Sequence, residues 1–158
     1  ATFYAPDHRL TISNAGHPRP LLYRAETGSW AILAPEAAAG ANLPLGIDDE
    51  APYEQVSLPM GPGDVVLLYT DALTEAVDSS GAMLGEEGLL QIVRTLDPSD
   101  PRLLGLALLE AVARYRGGRP SADDETLIVL RHDGTGARFP GPLAFPKVVA
   151  KMLGLIRV

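Results

Sequence analysis

Period-two alternation broken by turn chemistry fills the first seventy residues, and helical spacing takes over after them. Thr2 to Ala5 reads as a strand, Pro6-Asp7-His8-Arg9 has turn chemistry, and Leu10 to Ser13 alternates apolar with polar, so residues 1–13 predict a hairpin. A second hairpin is predicted from Pro20 to Arg24 and Ser29 to Leu33, joined by Ala25 to Gly28. An Ala/Pro/Gly loop from Ala34 to Asn42 and a short apolar return from Leu43 to Ile47 follow. Tyr53 to Leu58 alternates as a half-buried strand, Gly61-Pro62-Gly63-Asp64 turns, and Val65 to Thr70 is the continuous apolar run of a strand covered on both faces.

After Asp71 the period changes. Leu89, Leu90, Ile92, Val93 and Leu96 predict a helix from about Glu86 to Asp97-Pro98. Arg102 to Tyr115 predicts a second, with a core stripe of Leu103, Leu104, Leu106, Ala107, Leu109, Ala111, Val112 and Tyr115 and a stop at Gly117-Gly118. One more strand, Thr126 to Arg131, closes the pattern. Strands, then two helices, then a returning strand predict an α+β fold with mainly antiparallel pairing, because the hairpins are short and no repeated βαβ unit occurs. Beyond residue 132 the string GTGARFPGP reads as a linker, and Phe145 to Val158 as a basic amphipathic helix that would dock on its own protein, a partner helix or a membrane. The division is therefore 1–132 for the domain and 133–158 for linker and tail.

Composition narrows the function classes. With 158 residues, 46% hydrophobic and 21% charged, the chain suits one compact domain. A formal net charge of −7 argues against nucleic acid as a partner. The absence of cysteine excludes disulfides and thiolate nucleophiles, and makes the cytoplasm the default compartment. No apolar run approaches the roughly 20 residues that a transmembrane helix needs.

Two carboxylates end two very apolar strands: Asp71 follows VVLLYT, and Asp123 with Asp124 precedes TLIVL. If those strands are antiparallel neighbours, Asp71 and Asp123 converge at one sheet edge, where they repel unless a hard cation such as Mg²⁺ or Mn²⁺ sits between them. The plainer reading makes Asp71 a cap on Ala72 to Val77 and Asp123-Asp124 an Asx-type turn. Both readings stand on spacing alone. His17 is either a general acid or, as turn histidines more often are, a residue that orders its loop. Arg19 and Arg24 either meet a phosphate or remain solvated, and Glu75 supports the segment after Asp71.

The strings NAGHPRPLLYR (Asn14 to Arg24), LPLGI, GDVVLLYTDALTEA and DDETLIVLR, in this order, resemble the signature of SpoIIE/RsbU-type phosphatases of the protein phosphatase 2C-like (PPM) superfamily. The resemblance runs from about residue 1 to Arg131. It implies an αββα sandwich of two antiparallel sheets flanked by helices, of which this chain is the C-terminal part, with a binuclear Mn²⁺ or Mg²⁺ centre. It assigns Asp71 and Asp123 as metal ligands, with Asp124 where relatives often carry Asn or Asp. It implies hydrolysis of phosphoserine or phosphothreonine by a metal-activated water without a phosphoenzyme, so no side chain is a catalytic nucleophile. The implied substrate is a phosphorylated regulator of the anti-sigma-factor antagonist kind, and a sensor domain upstream is a further implied partner.

Two departures from the family pattern matter. Ala72 stands where relatives usually have glycine, which a positive φ would make a strain on Asp71 and a negative φ would tolerate. The family's upstream Asp-Gly, whose carboxylate bridges both metals, has no match in residues 1–158. The sequence therefore reads as beginning inside a domain, with a centre that this piece alone does not build and with apolar surface left for self-association. The alternative drawn from the same departures is a phosphatase-like interaction module without catalysis.

Overall fold

In the computed structural model, residues 1–33, 43–48 and 53–135 are described, and they form two antiparallel sheets with two helices against one of them. The loop predicted for 34–42 and the tail helix predicted for 145–158 lie outside the described residues. The first sheet has the order β1 (Thr2–Tyr4), β2 (Arg9–Ser13), β5 (Gln55–Pro59). The second has the order β4 (Ser29–Ile32), β3 (Leu21–Arg24), β6 (Val65–Tyr69), β7 (Leu127–Arg131). Helices α1 (Gly85–Val93) and α2 (Pro101–Tyr115) follow β6.

Alternation along the strands produces two cores. Leu10, Ile12 and Leu58 from the first sheet meet Leu22 and Val66 from the second, while Arg9, Thr11 and Ser57 on the opposite face hydrogen-bond across the strands. Leu21, Val65, Leu67 and Tyr69 point the other way, into Leu89, Val93, Leu104 and Leu108 of the helices. Strand β6 feeds both cores with successive residues, which is why its sequence is an unbroken apolar run. The layers are thus helix, sheet, sheet, the arrangement expected for part of an αββα sandwich.

The predicted stripe of α2 needs correction. Leu104, Leu108 and Val112 are fully buried, whereas Leu103 and Leu106 are 62% and 52% exposed. The helix is apolar on most of its circumference, and the row with i, i+4, i+8 spacing is fully buried while Leu109 and Tyr115 pack partly buried at its side. Its ends follow the expected chemistry. The Asp100 carboxylate accepts from the N–H groups of Arg102 and Leu103, Pro101 opens the helix, and Gly117 and Gly118 at positive φ close it. Helix α1 ends at Val93 rather than Leu96, because the next N–H groups, of Thr95 and Leu96, bond three residues back in a tighter turn. Leu43 to Ile47 forms an exposed turn, with Leu45 and Ile47 on the surface, instead of an apolar return into the core.

Two polar ties were invisible in the sequence. Asp64, 3% exposed, accepts from the N–H of Ala25, the N–H of Gly61 and the Arg24 guanidinium, at 2.9, 2.9 and 2.8 Å, and so joins the β3–β4 and β5–β6 turns. Burial alone would push this carboxyl up, but the hydrogen bonds together with the Arg24 charge outweigh it and hold it below the usual carboxylate range. Arg24 is therefore committed internally and is not a solvated arginine. The second tie joins His8 Nδ1 and His132 Nε2 at 2.7 Å, between the β1–β2 turn and the end of β7. Gly134 N–H donates to His132 Nδ1, so His132 Nε2–H is the donor to His8.

Leu108→Ala is expected to cost about 2–5 kcal/mol and Leu106→Ala less than about 1 kcal/mol in urea unfolding, and equal losses would contradict the burial pattern. Because Asp64 has a depressed folded pKa, its contribution is complete above the unfolded value near pH 4 and disappears as pH falls through the lower folded value. Asp64→Asn should lower stability at pH 7 and shrink the acid-side loss below about pH 4, as read from unfolding midpoints across pH.

Candidate functional site

The site begins with the register of β6 and β7. The strands are antiparallel, Leu67 faces Val129 and Tyr69 faces Leu127, so the chain leaving β6 at Asp71 runs beside the chain entering β7 from Asp123. The predicted antiparallel pairing of the two strands is present, and it brings the segments that carry the two aspartates to one end of the sheet. Both side chains are exposed, so solvent screens their repulsion and burial adds no pressure for a cation.

Asp71 opens a short 3-10 turn, Asp71–Leu73. Its carboxylate caps nothing: the turn's flanking residue is Thr70, with no side-chain cap, and the Asp71 carboxylate takes no hydrogen bond or ion pair among the described residues. Its carbonyl instead accepts from Glu75 N–H and Thr74 Oγ1–H, at 2.8 and 2.9 Å, which fixes the turn. Glu75 therefore supports this segment through its backbone. Ala72 is buried at negative φ, since His8 is the sole non-glycine residue at positive φ among the described residues. Its methyl is packed without backbone strain. On the other side, Asp123 Oδ1 accepts from the adjacent Asp124 N–H at 2.7 Å, rather than from the residue two positions on as the predicted Asx-type turn requires, and Oδ2 is uncommitted.

A second set of contacts holds the segment that carries Asp123. Arg116, at the end of α2, forms an ion pair with Glu125 and reaches Ser121 Oγ. Arg119 donates to the carbonyls of Val77 and Asp78, which ties the loop before Asp123 to the segment after Asp71. The Gly-Gly stop in the sequence marks the end of α2, but nothing local indicates that the arginines flanking it reach across.

The Asn14 loop lies beside this end of the sheet. Asn14 orders it: its side-chain oxygen accepts from His17 N–H and its amide nitrogen donates to His17 O, at 3.0 and 2.8 Å. The loop is ordered by Asn14 through the backbone of His17, and the exposed His17 ring has no hydrogen bond among the described residues. Gly16 adopts φ +83°, and a Cβ there would lie 2.8 Å from Pro44, so the NAGH and LPLGI strings meet at a contact that only glycine allows. Arg19 is paired rather than solvated: Nε and N–H both donate to Glu86 of α1 at 2.7 Å, and its carbonyl accepts from Tyr69 O–H at 2.7 Å. Burial pushes the Tyr69 phenol well above its usual range and keeps it a donor. A groove of about 390 Å³ is bounded by Asn14, His17, Leu68, Thr70, Thr126 and Ile128.

The donor set suits a hard divalent ion in part. Asp71 and Asp123 offer free carboxylate oxygens from adjoining chain segments, but no three His, Asp or Glu side chains gather among the described residues. Asp124 follows directly, with its backbone carbonyl already bonded to Thr70. These residues fit as part of a ligand shell and do not enclose an ion alone.

A profile of the family described as stage II sporulation protein E (SpoIIE) matches residues 1–133. Stage II sporulation protein E of Bacillus subtilis is 30% identical over 96 residues, which are 59% of this chain and 11% of that protein. The phosphatase domain of the cell fate determinant SpoIIE from Bacillus subtilis superposes with TM-score 0.65 at 20% identity, over 87% of this chain and 57% of that one. The SiaA-PP2C domain of Pseudomonas aeruginosa gives TM-score 0.59 at 25% identity, over 80% and 47%. The RsbU and RsbW domains of Rv1364c from Mycobacterium tuberculosis give TM-score 0.62 at 23% identity, over 94% and 40%. The chain thus spans about half the length of solved domains that share its fold and about a tenth of the curated relative. No described helix is long and apolar enough to cross a membrane.

Arg116→Met is expected to destabilise the chain by about 1–3 kcal/mol, since it leaves Glu125 half-buried and unpaired, and Arg116→Met with Glu125→Gln to recover part of that loss. Additive losses in thermal unfolding would show that the pair does not anchor the Asp123 segment.

Proposed function

The chain belongs to the SpoIIE family, and we propose that it is the C-terminal part of a metal-dependent serine/threonine protein phosphatase domain in bacterial regulatory signalling. The observation that carries this reading is the β6–β7 register, which brings Asp71 and Asp123 to one sheet end inside the matched region. In the proposed site Asp71 and Asp123 hold Mn²⁺ or Mg²⁺, and Asp124 shapes the turn that aims Asp123. A bound ion of this kind supplies Lewis acidity and lowers the pKa of water to a useful range. Asp71 and Asp123 contribute position and negative charge, and with no cysteine in the chain no covalent thiophosphate route competes.

A binuclear site needs more carboxylates than these, so further ligands come from outside the described residues. The substrate we propose is a phosphorylated anti-sigma-factor antagonist, with a sensor domain upstream as the regulatory partner. The unstrained backbone at Ala72 removes one of the two reasons for reading the chain as a non-catalytic interaction module.

A form of the protein spanning the full length of the solved phosphatase domains should release phosphate from a phosphoserine protein only with Mn²⁺ or Mg²⁺. Asp71→Asn and Asp123→Asn should each lower that rate by about a hundredfold or more, while the chain alone should be inactive. Equal rates for wild type and Asp71→Asn, or none with either ion, would discard the phosphatase in favour of the interaction module.

A further inference from the structure

One side chain stands between the two carboxylate-bearing segments and touches both. Regular pairing of β6 with β7 ends at Tyr69 opposite Leu127, and the next pair in register is Thr70 with Thr126. In an antiparallel ladder such a pair exchanges two bonds, each N–H to the other residue's carbonyl. Only one of them is made here: Thr70 N–H donates to Thr126 O at 3.1 Å. The carbonyl of Thr70 has turned away to accept from Leu73 N–H at 3.2 Å and start the 3-10 turn that presents Asp71. Its place is taken by the hydroxyl. Thr126 N–H donates to Thr70 Oγ1 at 3.0 Å, and the Thr70 hydroxyl donates onward to Asp124 O at 3.1 Å.

We infer that Thr70 is the positioning residue of this site: its hydroxyl replaces a ladder carbonyl, so the chain can turn outward at Asp71 while its neighbour strand stays locked opposite, with Asp123 held at a fixed distance. The inference rests on the reading of Asp71 and Asp123 as metal ligands. The chemistry requires a hydroxyl, because one atom must both accept from an N–H and donate to a carbonyl. Valine fills the same volume and favours the same extended backbone but can do neither, and it leaves Thr126 N–H without its partner. Serine keeps both bonds. Thr70 touches no reacting group; it acts through the spacing of the carboxylates.

The test is amide NMR on a form of the protein spanning the full length of the solved phosphatase domains, with Mn²⁺ as the probe, in wild type, Thr70→Val, Thr70→Ser and Asp71→Asn. Mn²⁺ should broaden amides next to Asp71 and Asp123 together. In Thr70→Val the Thr126 amide should exchange about tenfold faster, while Val66 and Leu130, a hydrogen-bonded pair of the same ladder, keep their protection. The Mn²⁺ concentration for half-broadening should rise about tenfold as the two segments lose their common spacing, and Thr70→Ser should stay within about twofold of wild type. An unchanged Mn²⁺ midpoint in Thr70→Val, with broadening abolished in Asp71→Asn, would overturn the positioning role and leave the metal reading intact. Broadening that survives Asp71→Asn, or none in wild type, would remove the metal reading and this inference with it. Should Thr70→Val lose protection at Val66 and Leu130 as well, Thr70→Ala is titrated in its place, with the same shift expected and the same unchanged midpoint counting against the role.

Discussion

The antiparallel pairing of β6 with β7 is the constraint on which the rest of the structure depends. Strand β6 sends successive side chains into both cores along its whole length, so its position is set from two sides at once. Whatever is attached to its end inherits that precision. Asp71 is attached there, and the register with β7 places the Asp123 segment alongside. A slip of two residues would preserve the facing pattern of every side chain yet displace the two carboxylate-bearing segments by about 7 Å relative to each other, so the contacts beyond the ladder decide the spacing.

Those contacts form a graded set. The Thr70 hydroxyl acts between the strand ends, the Arg116–Glu125 pair fixes the residue that follows Asp124, and Arg119 ties the preceding loop to the carbonyls of Val77 and Asp78. Each is a polar bond from one chain segment to another across more than 8 positions of sequence. Together they leave Asp71 and Asp123 exposed, with carboxylate oxygens free, while the backbone around them is bonded. This combination of rigid backbone and uncommitted side chains suits a ligand-binding edge better than a structural cap, whose carboxylate would be spent on its own helix. The other polar ties, Asp64 between two turns and His8 with His132 between the two sheets, lie away from this edge and serve the scaffold.

Ala72 illustrates how local backbone geometry settles a question that residue identity leaves open. The family pattern of glycine at this position raises strain as an issue, and the answer depends on φ alone. The same holds for His17, whose loop is ordered by Asn14 through backbone groups, and for Arg19 and Arg24, whose charges are spent on Glu86 and Asp64. The partners of the two arginines are far off in sequence: Arg19 and Glu86 are separated by 67 positions, Arg24 and Asp64 by 40. Periodicity and motif order report what a residue prefers, and they carry no distance between distant segments.

Local pattern sufficed wherever the physics is local. Alternation and turn residues determined the seven strands' approximate bounds, both helices, the α+β order and the stop of α2 at Gly117-Gly118. The apolar runs ending in Asp71 and beginning after Asp123 marked the edge proposed as the site, and the ordered motifs marked the family. Only the folded chain decided which row of α2 is core, because a helix apolar on most sides lets its sheet choose, and it chose Leu104, Leu108 and Val112 over Leu103 and Leu106. It also decided that a threonine hydroxyl would stand in for a carbonyl between the two aspartates, since that exchange exists only once two strands 56 residues apart are in register.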